Sequence, residues 1–212
     1  MAYPDCALAL AFEGVSLRRR RADGWIAQGQ ALFDAPDMRT ALEKLRARAT
    51  GPDTNPLAPV LLVLPRDQVL YRRIRPRHSG PDGASAVREA LEGQTPYPVD
   101  KLRFSFERLA NGGIAYAAVA LETLEEAEGF ARANGFDPRG VMAPPREGLI
   151  DTPAWFGTST QEAPDGWLAR PELVDWAVAP EDSTLPARPD AARIAPDRAN
   201  DHDVARQVPP LR

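Results

Sequence analysis

The sequence predicts a mixed α/β fold, and three observations carry that expectation. Residues 6–32 fall into three strand-like stretches separated by the turn pairs Glu13-Gly14 and Asp23-Gly24, which is the pattern of hairpin-linked strands. Val60 to Leu64 (VLLVL) is a continuous apolar run, the signature of a strand buried on both faces. Between and after these strands the apolar period changes to that of a helix.

In chain order, Cys6 to Phe12, Val15 to Arg21 and Trp25 to Leu32 read as three strands. Met38, Leu42, Leu45 and Ala49 fall at helical spacing, with Asp34 or Asp37 available to cap the first turn. A proline-bearing connection leads to the buried run at Val60, and Val69 to Ile74 reads as a further strand. Ala84, Val87 and Leu91 form one helical stripe, which Gly93 stops. Thr95-Pro96-Tyr97-Pro98 cannot continue it, because each proline forces its predecessor into extended geometry. From Leu102 the period returns to two: Leu102, Phe104 and Phe106 point one way, and Arg103, Ser105 and Glu107 the other. Asn111-Gly112-Gly113 closes a hairpin onto Ile114 to Leu121. Thr123 to Glu126 fits a capping box for a helix through Ala133, and Arg139 to Met142 reads as a last short strand. The expected order is three strands, helix, strand, then strand-helix-strand-strand, then helix and strand. From residue 149 prolines are dense and apolar residues lose their period, so residues 149–212 read as a disordered tail or linker with isolated Trp155, Trp167 and Trp176.

Composition narrows the function. Against 26 Lys+Arg stand 30 Asp+Glu, a formal charge of −4, so no global electrostatic footprint for nucleic acid exists. Cys6 is the single cysteine, which excludes an internal disulfide and a cysteine-cluster metal site. No apolar run approaches the roughly 18 residues a membrane span needs, and the first residues lack a signal-peptide pattern. A cytoplasmic location, at the inner-membrane face through a partner, is the expectation. Arg18 to Arg21 could hold an anion, but alternation splits them between faces, and a solvated edge strand protected by charge explains them. His78 has no nucleophile or second carboxylate spaced to serve it, and Gly112-Gly113 belongs to a hairpin, not to a phosphate loop. No catalytic set, cofactor site or metal site is expected.

The runs VREALEGQTPYPVDKLRFSFE, VLLVLPRDQVLYRRI and YAAVALETLEEAEGFARANGFDPRGVM resemble the actin-like cytoplasmic domain of the PilM and GspL proteins over roughly residues 5 to 145. Those are the inner-membrane platform proteins of type IV pili and type II secretion. The resemblance implies an incomplete actin-like, ribonuclease H-like half-domain over 1–148, with an inserted β-α-β-β subdomain at about 69–109. Actin-like ATPases place an Asp in the turn between their first two strands; Phe12-Glu13-Gly14 stands there in this chain. The implied role is a non-enzymatic scaffold of a bacterial envelope assembly acting by protein–protein contact. A degenerate or split nucleotide-binding ATPase, or an N-terminal fragment of a longer membrane-anchored protein, are the alternatives. The residues selected for partner contact are Pro96, Tyr97, Pro98, Arg103 and Arg108, with Trp155, Trp167 and Trp176 of the tail.

Overall fold

A computed structural model of the protein describes residues 4–21, 24–50, 57–75 and 83–162. The chain divides into two units, Met1–Pro180 and Glu181–Arg212; the second lies outside the described residues, as do Trp167 and Trp176.

The first unit is a mixed α/β structure of nine strands and three α-helices among the described residues. Its elements are β1 (Cys6–Ala11), β2 (Gly14–Arg21), β3 (Gly24–Leu32), α1 (Met38–Thr50), β4 (Ala58–Val63), β5 (Leu70–Ile74), α2 (Gly83–Leu91), β6 (Leu102–Arg108), β7 (Ile114–Ala120), α3 (Leu121–Ala133), β8 (Phe136–Ala143) and β9 (Ala154–Gly157). Six strands form one sheet in the order β3-β2-β1-β4-β8-β9, and three form another in the order β5-β7-β6. The large sheet is antiparallel through β3, β2 and β1, then parallel from β1 to β4 to β8, with β9 antiparallel at its edge.

Local chemistry fixes two irregularities in this sheet. Between β2 and β3 the register slips at Gln28, and Gly29 beside it has φ +143°, a region that favours glycine. The Arg48 guanidinium of α1 reaches over that bulge to the Gln28 carbonyl. Between β4 and β8 the register slips at Arg139, next to Pro138, whose missing N–H is tolerated at a bulge in an interior strand.

One core joins both sheets. Leu8, Leu17, Val60 and Leu62 of the large sheet pack with Leu42 and Leu45 of α1, Leu124 and Ala131 of α3, and Tyr71, Ala117 and Val119 of the small sheet. The opposite face of the small sheet closes on Val87 and Leu91 of α2 through Leu102, Tyr116, Phe104 and Phe106. Strand β7 is therefore buried on both faces along its whole length, as its uniformly apolar sequence requires.

Several expectations change. Residues 150–162 do not belong to a tail: Ile150 is buried and Ala154–Gly157 is the edge strand β9. AWFG is too short to show periodicity, and what holds it is pairing with β8, remote from any local signal. Strand β2 is interior, not an edge, because β3 and β1 flank it. Its arginines are used within the fold: Arg19 donates to the Arg48 carbonyl at the end of α1 (2.6 Å), and Arg20 pairs with Asp5 (3.0 Å). Helix α3 begins at Leu121 with Ala120 at the cap position, so Thr123 lies inside the first turn and no side-chain capping box forms there. The small sheet takes its central strand from Ile114–Ala120, beyond the inserted stretch at 69–109.

Candidate functional site

The carboxyl ends of the parallel strands β1 and β4 open side by side, and in open α/β sheets that is where ligands settle. Here Leu10, Phe12, Phe33, Leu64, Pro65 and Phe130 line a hollow of about 300 Å³. Phe12 stands on the tight turn between β1 and β2 and is 96% exposed; Phe33 is 41% exposed and meets Phe130 edge to face at 5.7 Å. The polar residues that complete the lining are Asp67, Gln68, Thr123 and Glu126, none of them basic.

This composition decides what the hollow can hold. A phosphate group needs backbone N–H groups from a glycine-rich loop or a cation at hand. The turn offers the bare ring of Phe12 and the acid Glu13 instead, and the charged residues lining the hollow are the acids Asp67 and Glu126. Arg66 lies close in sequence, but its Nε donates to the Pro145 carbonyl at 3.0 Å. An apolar side chain gains from leaving water here, at about 25 cal/mol per Å² of surface covered. The acidic rim favours a ligand with cationic flanks.

The residues selected from the sequence lie elsewhere, and the structure brings only some of them together. Pro96, Tyr97 and Pro98 form an exposed corner. Thr95 closes it: its Oγ1 donates to the Tyr97 carbonyl at 3.0 Å and accepts the Tyr97 N–H at 3.3 Å. The Tyr97 hydroxyl donates to Glu122 at the start of α3 (3.4 Å). Arg103, expected to be exposed, is half-buried; it pairs with Glu162 (3.2 Å) and donates to the Ser159 carbonyl (3.3 Å). Its neighbours Ser105 and Glu107 face the same way, and Glu107 accepts a bond from Thr152 (2.8 Å), so the polar face of β6 is covered by residues 152–162. Arg108 is exposed at the end of β6. Trp155 is 4% exposed in β9, so it is a core residue and not an accessible docking motif.

Sequence reasoning also missed Glu128. It is fully buried on α3, pairs with Arg132 (2.8 Å), and accepts from the Ser159 N–H (2.7 Å) and hydroxyl (2.8 Å). A glutamate in a helix carries no local sign of such a role; its partner lies 31 residues further on. The Tyr71 hydroxyl likewise donates to the Pro144 carbonyl at 2.7 Å in the core. Burial pushes its pKa up to about 12, against the opposing pull of Arg66 and Arg146. No group of three or more His, Cys, Asp or Glu side chains is placed to hold a metal among the described residues, and His78 lies outside them. No described helix is long and apolar enough to cross a membrane.

No protein-family model matches this chain, and no curated protein matches it. Solved structures do. The cytoplasmic domain of EpsL, an inner membrane component of the type II secretion system of Vibrio cholerae, is 18% identical, with a TM-score of 0.46 over 74% of this chain and 68% of that one. The PilM–PilN type IV pilus biogenesis complex is 18% identical, with a TM-score of 0.45 over 64% of this chain and 46% of that one.

Proposed function

We propose that this protein is a non-enzymatic interaction module that binds a short apolar segment of a protein partner in the groove beside Phe12. The observation that carries this reading is the exposed phenylalanine itself. A large apolar ring 96% open to water, on a rigid two-residue turn above an apolar hollow, is a poor choice for a free surface and a good anchor for a partner. The same turn is where an actin-like ATPase would keep its metal-orienting carboxylate. The replacement of that group by Phe12 favours protein contact over nucleotide chemistry. Asp67 and Glu126 on the rim favour a segment with Lys or Arg beside its apolar residues. The sequence resemblance to PilM and GspL supplies the setting, an envelope-assembly platform at the cytoplasmic face of a membrane, with partner proteins of that platform as the source of the segment.

The test is a pair of titrations on the purified chain. A labelled peptide with three large apolar residues followed by two lysines is expected to bind with micromolar affinity. Phe12→Ala is expected to weaken it by about tenfold or more, the cost of losing one anchoring ring. Mg-ATP is expected to release no heat. Saturable ATP binding, or peptide binding that ignores Phe12→Ala, would contradict the proposal.

A further inference from the structure

Two kinds of backbone line the hollow beside Phe12. The ends of β1 and β4, with the residues that follow them, bring Leu10, Phe12, Leu64 and Pro65. Helix α3 brings Thr123, Glu126, Ala127 and Phe130, which fall at i, i+3, i+4 and i+7 on one stripe about 10 Å long. Neither offers a strand ladder to a partner main chain. β1 lies between β2 and β4, and β4 lies between β1 and β8, so neither is an edge strand. Just past β4 the Leu64 N–H donates to the Met142 carbonyl (2.8 Å), and Pro65 has no N–H to give. Beyond its first turn the backbone of α3 is bonded within the helix. An extended segment entering this apolar hollow would leave its own N–H and C=O groups unpaired. An α-helix avoids that cost by bonding them internally.

Gly129 points the same way. It lies in the interior of α3, three residues from Glu126 and next to Phe130, and it is exposed. A Cβ there would meet nothing within 4 Å among the described residues, so packing does not demand a glycine. Alanine would fit and would favour the helix more. What the glycine does supply is bare backbone beside the hollow. The distance between two packed helices is set by the side chains at their contact, so bare backbone admits a second helix closely. Charge agrees with such a neighbour. Glu125 and Glu126 stand exposed on α3 and Asp67 is exposed at the rim, so a basic flank on the incoming helix meets acids.

We propose that the segment this groove takes is an amphipathic α-helix lying along α3. Its apolar residues, at i, i+3 or i+4, and i+7, enter the hollow, and its Lys or Arg residues face Asp67, Glu125 and Glu126. This rests on the groove beside Phe12 being the partner site, and it adds the form of the partner. Two labelled peptides of about fifteen residues, long enough for a helix, test it on the full-length chain. One carries leucines at i, i+3 and i+7 with flanking lysines. The other differs only by a proline in place of its central alanine, which breaks a helix and leaves the leucines and charges intact. The first is expected to bind, and the second to bind about tenfold more weakly or worse. Transferred nuclear Overhauser contacts between successive amide protons of the bound first peptide are expected. Gly129→Leu, a change to an exposed and better helix former, is expected to keep the melting temperature and weaken the first peptide by about tenfold. Equal binding of both peptides, each lost in Phe12→Ala, would overturn the helix and leave the groove standing. Unchanged binding in Gly129→Leu would overturn it as well. Binding of neither peptide, or binding indifferent to Phe12→Ala, would remove the groove itself and the helix with it.

Discussion

Tyr71 sets the alkaline behaviour of the fold. Its hydroxyl is buried and bonded to the Pro144 carbonyl, and its pKa is raised to about 12 by desolvation. A folded-state pKa above the unfolded value of about 10 contributes stability that is complete below pH 10 and is lost as pH rises through 12. Burial also raises the pKa of Tyr116 and of the Cys6 thiol, so the three groups act in the same direction. Chemical denaturation between pH 8 and 12 is expected to show stability falling from about pH 9, with Tyr71 alone responsible for about 2–3 kcal/mol. Tyr71→Phe is expected to cost about 1 kcal/mol at neutral pH and to flatten that slope. Glu128 makes the second prediction at this scale. Glu128→Ala leaves the Ser159 N–H and hydroxyl without their buried acceptor and opens a cavity, at a cost of about 3 kcal/mol in a denaturation midpoint. Neither role was legible in the sequence. A tyrosine in a strand and a glutamate in a helix look ordinary until residues 73 and 31 positions away fold against them.

Most elements, by contrast, were legible, because their signals are local. The turn at Glu13-Gly14, the buried run at Val60 and the proline corner after Leu91 each fix geometry within a few residues. Gly14 shows why the first of these is tied to its residue. A Cβ there would overlap the Ala31 carbonyl oxygen and lie 2.9 Å from the Leu32 Cα, both backbone atoms of β3. Gly14→Ala is therefore expected to push β3 off β2 and destabilise the protein by about 2–3 kcal/mol, measured by denaturant titration. Strand β9 was not legible, since AWFG exists as a strand only through its pairing with β8 and its packing beside β6. The Arg103–Glu162 pair that follows it is half open to solvent. Arg103→Ala is expected to cost no more than about 1 kcal/mol, with most of that loss from the bond to the Ser159 carbonyl.

At the scale of the whole molecule, the large sheet opens the carboxyl ends of β1 and β4 onto a groove that is apolar at its floor and acidic at its rim. The sequence showed the turn and the absence of its expected carboxylate. It did not show that Phe12, Phe33 and Phe130 would meet around one hollow, because they come from two separate turns and a helix far along the chain from both. The exposed proline corner at Pro96 to Pro98 is distinct from this groove, and its Tyr97 is held by Glu122. Because Phe12 is almost wholly exposed, Phe12→Ala is expected to leave the melting temperature unchanged within a degree or two. Loss of binding in that variant then reports on the surface alone. The most direct measurement is photo-crosslinking in the producing cell, with benzoylphenylalanine in place of Phe12 and, as a control, in place of Tyr97. The account predicts one discrete protein adduct at position 12, mapped to an apolar segment with basic neighbours, and none at position 97. An adduct at 97 alone, or a nucleotide-protected site at 12, would contradict it.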